Sequence, residues 1–445
     1  MQNHYITDTI SAIATPVGSG GVSIIRLSGD KSFEIIEKIF EGQKITAGKI
    51  CHGHIIDGED KIDEVIVLPF KAPNSYTGED VIEIQCHGGV HITNKILDMT
   101  IKNGARLAEK GEYTKRAFLN HKMDLSQAES VLDLIHAQTQ KFAVDSAKNL
   151  FGKLSIEVGK IRKEIMDLLS RIIAAVDFPE DVAEPDYEFI EKTIETIIEK
   201  INHILSFSQS SNIYRQGIKI VLAGRPNVGK SSLFNALLNL ERAIVTDIAG
   251  TTRDVIQETL DIDGIAATIT DTAGIRNDEN IDKVEAIGID YSKKYVQEAD
   301  LVLFLYDLSE GYTSKDKEIF ESVKDKKYIK IGAKSDLTKN RDNEAVCISL
   351  KTGENLNELK QKIKNSVLSQ NLTEVEFITN KRQQECLENA KEALINALVA
   401  AQNKEIQDLI SIDIKSALMF VSEVSGEVIT DDILNNIFDN FCIGK

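Results

Sequence analysis

A phosphate-binding motif near the middle of the chain constrains the fold more than any other feature. Residues 224–231 read GRPNVGKS, follow an apolar run that predicts a buried strand, and precede the apolar face of a predicted helix. Glycines let the backbone wrap around phosphates, and successive N–H groups at the helix N-terminus point at the anion. Lys230 offers a positive charge to the β- and γ-phosphates, and Ser231 offers a hydroxyl to Mg²⁺. The segment therefore predicts a nucleotide-binding α/β domain.

Three shorter motifs follow in the order typical of GTPases. Residues 271–274 (DTAG) offer a carboxylate to Mg²⁺ and a glycine N–H to the γ-phosphate. Residues 333–336 (AKSD) end on Asp336, which can accept two N–H bonds from guanine that adenine cannot offer. Residues 349–351 (SLK) can cover the base. The strands that precede these motifs are predicted at 266–270, 328–332 and 345–348.

The four motifs together predict GTP as the ligand, although each alone is equally an ordinary turn between a strand and a helix. Ala333 stands where GTPases usually carry an asparagine that ties the base to the phosphate loop. We therefore expect looser nucleotide binding, with guanine discrimination by Asp336 intact. The predicted GTP-binding residues are Asn227, Val228, Gly229, Lys230, Ser231, Ser232, Thr246, Asp247, Ile248, Ala249, Gly250, Thr251, Thr252, Asp271, Thr272, Ala273, Gly274, Lys334, Asp336, Ser349 and Lys351.

Length and composition limit the class of protein. A chain of 445 residues is long enough for about three domains. Its net charge of −18 argues against a general nucleic-acid binder, so any RNA contact needs a local basic patch or a partner. Five cysteines without a repeating spacing indicate a reducing compartment. No signal pattern or apolar run of membrane-spanning length occurs, and we expect a cytoplasmic protein.

The hydrophobic period changes along the chain and suggests where its domains begin. Strand-like runs at 7–14, 22–27, 64–70 and 81–86 predict a mixed α/β unit over residues 1–118. Apolar residues at three- and four-residue steps then predict amphipathic helices. The simplest arrangement is one helical domain interrupted by an inserted Ras-like P-loop GTPase domain. The predicted limits are 119–215 for the first helical part, 216–370 for the GTPase domain and 371–445 for the second helical part.

The region between the phosphate loop and DTAG indicates how hydrolysis would be assisted. Ile275 follows DTAG, where Ras-type GTPases place a glutamine that orients the attacking water. The water-orienting group and a positive charge near the β–γ bridge must therefore come from elsewhere. The side-chain carbonyl of Asn227, with the main-chain carbonyls of Thr246 and Ile248 and a threonine oxygen, can hold a monovalent cation. Asn227 is alternatively no more than a turn residue.

With these motifs in view, the chain resembles the MnmE (TrmE) family of tRNA modification GTPases over essentially its whole length. The residues that carry the resemblance are GRPNVGKSS, TDIAGTTRD and DTAGIR in the GTPase block, SYTGEDVIEIQCHGG at 75–89, KRAFLNHKMDLSQAE at 115–129, and the final FCIGK. The resemblance implies a potassium-dependent GTPase that forms a homodimer and whose nucleotide domains pair to become active. It also implies a folate-binding-like fold for the N-terminal domain.

The same resemblance assigns roles to individual residues. The implied potassium ligands are Asn227, Thr246, Ile248 and Thr251, and the implied magnesium ligands are Ser231 and Thr252. Glu285 would position the attacking water, although taken alone it is one of many acidic residues and is more readily explained as a charge on a solvated helix face. The N-terminal domain would bind 5-formyltetrahydrofolate or a related one-carbon folate through Arg26, Glu83, Lys122 and Lys445. Taken alone, these four residues are ordinary surface charges.

Cys442 and the Cys–His pairs are the remaining candidates for chemistry. Cys442 is either a reactive thiol on a short tail or a small buried one, and the resemblance implies a catalytic role. The pairs at 51–54 and 86–87 match no familiar zinc spacing. The family would act on the wobble uridine of tRNAs, in a heterotetramer with a flavin-dependent MnmG-type partner. The alternatives are a ribosome-assembly GTPase, for which no KH-type module is evident, and a dynamin-like membrane GTPase, for which no lipid-binding patch is evident.

Overall fold

The computed structural model describes residues 8–240, 256–271, 294–368 and 376–445. It separates into two compact units, one made of Met1–Leu132 and Leu418–Lys445 and the other of Asp133–Ala417. Among the described residues, no helix combines the length and the apolar character that a membrane crossing requires.

The first unit is built on a seven-stranded sheet with two helices against one face. The elements are β1 (Ile10–Ile13), β2 (Gly20–Ser28), α1 (Ser32–Ile39), β3 (Phe40–Gly42), β4 (Cys51–Asp57), β5 (Asp60–Phe70), β6 (Val81–Gly88), α2 (Val90–Lys102), β7 (Arg106–Leu107), α3 (Glu112–Leu119) and α4 (Leu125–Ile135). The strand order is β3-β4-β5-β6-β2-β1-β7, antiparallel except for the β1–β7 pair. The predicted mixed α/β character of the N-terminal region is confirmed.

Period-2 alternation decides which face of this sheet carries chemistry. Ile25 and Leu27 of β2 and Ile84 of β6 are fully buried against α1 and α2. Arg26 therefore points to the opposite face, where its register partner on β6 is Glu83. The strands predicted at 7–14, 22–27, 64–70 and 81–86 are present, whereas β3, β4, β7 and the helices α1 and α2 were not predicted.

The second unit contains a six-stranded sheet that carries the GTPase motifs. Its elements are β8 (Ile218–Gly224), α9 (Lys230–Leu240), β9 (Ile256–Ile262), β10 (Ile265–Asp271), β11 (Leu301–Asp307), α10 (Ser314–Glu321), β12 (Tyr328–Ala333), β13 (Val346–Cys347) and α11 (Leu356–Val367). The strand order is β13-β12-β11-β8-β10-β9, and only the β9–β10 pair is antiparallel. Every residue of β11 is buried, as expected of a central strand in a parallel sheet. The parallel strands bring the loops that follow them to one edge, the carboxyl edge of the sheet.

Helices that precede and follow this block in sequence form the rest of the unit. They are α5 (Gln140–Leu150), α6 (Lys153–Asp177), α7 (Tyr187–Leu205), α8 (Ser208–Gln216), α12 (Lys381–Gln402) and the part of α13 (Gln407–Ser425) up to Ala417. The rest of α13 and α14 (Asp431–Phe438) belong to the first unit. Helix α7 precedes the GTPase block and packs along α12, which follows it. The buried residues of α7, Ile190, Ile194, Ile197 and Ile201, recur at three- and four-residue steps. The prediction of a helical domain interrupted by a P-loop domain is confirmed.

Candidate functional sites

The phosphate loop joins β8 to α9 in a conformation that specific residues make possible. Gly224 has a φ of +149°, and a Cβ there would lie 2.3 Å from the Leu305 carbonyl oxygen, so no larger residue fits. Asn227 is exposed with a φ of +64°, whereas Val228 is buried beneath the loop. Lys230 Nζ donates to the carbonyl oxygens of Gly224 and Arg225 at 2.8 and 2.7 Å. The loop therefore curls around its own lysine at the N-terminus of α9.

Ser231 and Ser232 lie in the first turn of α9 and are exposed. The structure thus gathers the predicted residues 227–232 around one helix N-terminus, the arrangement that anions favour. The side chain of Arg225 was not predicted to matter. Its Nε donates to Asp316 Oδ1 at 2.7 Å and its Nη2 to Glu310 Oε2 at 2.9 Å.

The loop predicted to contact the guanine base, here called the base loop, follows β12. Asp336 lies exposed in a short 3₁₀ turn, and the buried Ser349 hydroxyl donates to its Oδ1 at 2.7 Å. Lys334, at a φ of +61°, donates from Nζ to Asp307 Oδ2 at 2.6 Å. Burial raises the pKa of Asp307, but hydrogen bonds from Lys334 and Ser309 outweigh it and hold the pKa below its usual value. The structure therefore brings Asp336, Lys334 and Ser349 together, with one carboxylate already oriented.

Ala333 places an apolar side chain close to the phosphate loop. A Cβ built on Gly229 would lie 4.0 Å from the Ala333 Cβ and 3.7 Å from Leu350 Cδ1. The Ala333 side chain thus lies close to the phosphate loop, but it has no polar atom with which to bond that loop. Lys351 is exposed two residues beyond Ser349.

Much of the predicted switch region lies outside the described residues. These residues are Thr246, Asp247, Ile248, Ala249, Gly250, Thr251, Thr252, Thr272, Ala273, Gly274, Ile275 and Glu285. Asp271 is the last residue of β10, and its register partner in β8 is Leu222. Its backbone therefore lies beside the strand that leads into the phosphate loop, and the roles assigned to the remainder stay predictions.

Arg26 is the centre of a second cluster, in the first unit. Its Nη2 lies 2.7 Å from Glu83 Oε1, and its Nε donates to the same oxygen at 2.8 Å. The guanidinium carbon lies 5.6 Å from the ring centroids of both Tyr76 and Tyr113. Tyr113 also donates its hydroxyl to the Arg26 carbonyl at 2.6 Å. Burial raises the pKa of both phenols, so both tyrosines are uncharged at neutral pH where they pack around the guanidinium.

The C-terminal tail lies against this cluster. The Gly444 carbonyl accepts a bond from Arg26 Nη1 at 3.5 Å, and the Lys445 carbonyl accepts one from the Tyr113 N–H at 3.1 Å. The Cys442 carbonyl accepts from the Gly111 N–H at 3.4 Å, while the Cys442 residue is exposed. Of the two interpretations of this thiol, the structure therefore excludes the buried one. The structure thus brings Glu83 to Arg26, and it brings the main chain of Cys442 and Lys445 to the start of α3, which carries Tyr113.

Lys122 lies beside the loop that carries Tyr76. Its Nζ donates to the Pro73 carbonyl at 2.9 Å, and its stem lies 3.3 Å from where a Cβ of Gly78 would be. The loop at 73–79 thus connects Lys122 to Tyr76, which faces Arg26. Sequence reasoning missed the two tyrosines. The sequence signalled only Tyr76, which lies within the segment at 75–89 that carries the family resemblance, whereas Tyr113 lies two residues before the segment at 115–129.

A buried arginine, Arg116, bonds to the end of the loop at 73–79. Arg116 is 1% exposed, and its guanidinium bonds to the carboxylates of Asp8, Glu79 and Glu112. Glu79 Oε2 also accepts from the Ser28 hydroxyl at 2.7 Å, which holds the end of the loop to β2. In the Cys–His segments, His52 pairs with the Glu64 carboxylate and His87 with that of Asp63.

The chain is similar to known proteins along its full length. Residues 9–122 match the family model described as the GTP-binding protein TrmE N-terminus, and residues 125–442 match that of the MnmE helical domain. The protein called tRNA modification GTPase MnmE in Caldicellulosiruptor saccharolyticus is 44% identical over 98% of this chain and 99% of its own length. The protein of the same name in Thermoanaerobacter pseudethanolicus is 43% identical over 99% of this chain and 100% of its own.

Among solved structures, the G domain of the T. maritima FeoB iron transporter is 32% identical. The match covers 34% of this chain and 99% of that domain at a TM-score of 0.27.

Proposed function

The chain belongs to the MnmE family of tRNA modification GTPases, and from this membership we propose that it is a potassium-activated GTP hydrolase that modifies carbon 5 of the wobble uridine of tRNAs. It would add a (carboxymethyl)aminomethyl group together with a flavin-dependent MnmG-type partner, as a homodimer within a heterotetramer in the cytoplasm. A one-carbon folate, 5-formyltetrahydrofolate or a relative, would supply the carbon.

One observation supports GTP hydrolysis most strongly: the Asp336 carboxylate and the loop around Lys230 both follow strands of one parallel sheet, at its carboxyl edge. Asp336, oriented by Ser349, would accept the two guanine N–H groups. Lys230 and the N–H groups at the start of α9 would hold the β- and γ-phosphates. Ser231, with Thr252, would hold Mg²⁺, which neutralises charge that develops on the phosphates.

Potassium activation is supported by the position of Asn227. This residue is exposed in the phosphate loop, and its left-handed conformation is one that asparagine adopts more readily than most residues. Its side-chain carbonyl is a hard oxygen ligand suited to an alkali ion, and Thr246, Ile248 and Thr251 would supply the others. The ion would contribute positive charge near the β–γ bridge. Glu285 would orient the water that Ile275 cannot.

The test is steady-state GTP turnover in KCl against NaCl at equal ionic strength, for the wild type and Asn227→Ala. We expect potassium to raise turnover by about tenfold or more, because charge stabilisation at the transferred phosphoryl group has effects of that size or larger. Asn227→Ala should lose the stimulation, and Asn340→Ala, an exposed asparagine of the same domain, should keep it. Equal wild-type rates in both salts would contradict the proposal.

The tRNA part is tested separately by nucleoside analysis of tRNA from a deletion strain, complemented with the wild type or with Lys230→Ala. Loss of the carbon-5 modification in the deletion and in the Lys230→Ala strain, with recovery in the wild-type strain, is the expected result. Normal nucleosides together with stalled ribosomal subunits would instead indicate a ribosome-assembly GTPase.

A further inference from the structure

An ion pair anchors the phosphate loop to a part of the GTPase domain that carries none of its motifs. Arg225 comes one residue after β8, and its side chain reaches the N-terminus of α10, which follows β11. Because β8 and β11 are adjacent and parallel, with Leu305 opposite Gly224, their carboxyl ends lie side by side and allow this contact.

The two acidic partners of Arg225 lie in very different environments. The Asp316 side chain is fully buried and that of Glu310 is 58% exposed. The second carboxylate oxygen of Asp316 is also bonded, since Oδ2 accepts hydrogen bonds from the Thr313 N–H and hydroxyl at 2.9 and 2.6 Å. Asp316 thus belongs to the capping box of α10, and its carboxylate is rigid before Arg225 reaches it. Screening leaves an exposed pair such as Arg225–Glu310 with little effect.

The main chain of Arg225 is the part that meets the nucleotide-binding lysine. Its carbonyl accepts from Lys230 Nζ at 2.7 Å. Gly224, before Arg225 in sequence, lies where a side chain does not fit. Pro226, after it, restricts the backbone of the residue that precedes a proline. Asn227 follows at once. A tether on the Arg225 side chain therefore limits where this carbonyl and the residues after it can move.

We propose that Arg225 is a positioning residue of the phosphate loop, and that Asp316 holds it so that the Lys230 ammonium and the Asn227 amide are presented in the geometry that binds the phosphates. This inference rests on the proposed GTP site. It assigns to Asp316, 91 residues beyond Arg225 in sequence, an effect on nucleotide affinity that the motifs do not indicate.

The experiment measures the dissociation constant of fluorescently labelled GDP, and KM and kcat for GTP, in a set of full-length variants. For Arg225→Gln and Asp316→Asn we expect affinity for GDP to fall about tenfold, because each leaves a partner of a buried pair unmatched. KM should rise by a similar factor, while kcat at saturating GTP changes less than KM. Arg225→Lys should recover part of the affinity, and the double variant should lose no more than either single one.

Two controls separate positioning from stability. Thr313→Val removes the hydroxyl of the α10 cap but keeps the Arg225–Asp316 pair, and Glu310→Gln removes only the exposed partner. Thr313→Val should lower the unfolding temperature and, like Glu310→Gln, leave GDP affinity within about twofold of the wild type.

Three outcomes would overturn the inference: wild-type GDP affinity in Arg225→Gln, equal losses in Thr313→Val and Asp316→Asn, or fully additive losses in the double variant. Failure of the proposed GTP site looks different, since the wild type itself would then neither bind GDP nor hydrolyse GTP.

Discussion

The Arg26 guanidinium meets the Glu83 carboxylate at 2.7 Å across strands β2 and β6, and the two residues are register partners in that antiparallel pair. Their side chains are only 16% and 17% exposed. An arginine held in this way fixes the orientation of its carboxylate, so Glu83 is a preorganised acceptor and not a solvated surface charge.

Glu83→Gln tests whether this carboxylate binds a folate. A carboxylate accepts charge-assisted hydrogen bonds from the amino-pyrimidine edge of a pterin, whereas the neutral oxygen of an amide accepts only uncharged ones. We expect the affinity for 5-formyltetrahydrofolate, measured by calorimetry, to fall about tenfold or more, because charge-assisted bonds are about twice as strong as neutral ones. GTP turnover should be unchanged. The control is Glu64→Gln, which changes an exposed carboxylate of β5 that pairs with His52. An equal loss of folate affinity in both variants would show that Glu83 does not bind the folate.

Asp336→Asn tests how the base is read. An asparagine at this position donates where the aspartate accepts, so it suits the carbonyl of xanthine and not the amino group of guanine. We expect turnover of GTP to fall and that of xanthosine triphosphate to rise, each by at least about tenfold. Competition between the two nucleotides gives the measurement. Unchanged preference for GTP would show that Asp336 does not contact the base.

Gly444→Ala tests the docking of the tail. Gly444 has a φ of +97°, and an added Cβ would lie 2.3 Å from the Ile13 carbonyl oxygen, a backbone atom that cannot move aside. We expect the tail to be displaced, with loss of the bond from Arg26 and weaker folate binding. Limited proteolysis followed by mass spectrometry should show faster release of the last residues. Ile443→Ala, a half-exposed neighbour, should keep wild-type proteolysis; equal release rates for all three proteins would contradict the docking.

The ion pairs of Glu112 predict that the first unit becomes less stable in acid. Burial raises its pKa, but bonds from Arg106, the Glu109 N–H and Arg116 outweigh burial and hold the pKa below its usual value of 4.5. A carboxyl with a depressed folded pKa stabilises the fold fully above the unfolded value and loses this contribution as the pH falls through the folded value.

The free energy of unfolding should therefore decline below about pH 4.5, as measured by urea unfolding of the full chain followed through Tyr fluorescence. Glu112→Gln should be less stable than the wild type at neutral pH, and its stability should fall less steeply in acid. Parallel curves for the two proteins would show that Glu112 does not carry the acid dependence.

The phosphate loop and the base loop could be predicted because each is a short segment between a strand and the element after it. Local backbone geometry explains a residue type such as Gly224, which has a φ of +149°. The contacts that hold these loops could not be predicted. Arg225 and Asp316 are 91 residues apart, and Arg26 and Gly444 are 418 apart. No period or spacing in a single chain indicates which of 70 acidic residues will meet a given arginine.

By itself, the sequence determined the type of each domain and the local chemistry of the phosphate and base loops, because hydrophobic period and turn composition act over a few residues. Only the tertiary structure decided that the C-terminal tail lies on Arg26, that Tyr76 and Tyr113 enclose the guanidinium, and that a buried aspartate holds the phosphate loop. Those arrangements depend on strand order and on which faces are buried, and these properties arise only when distant segments pack together.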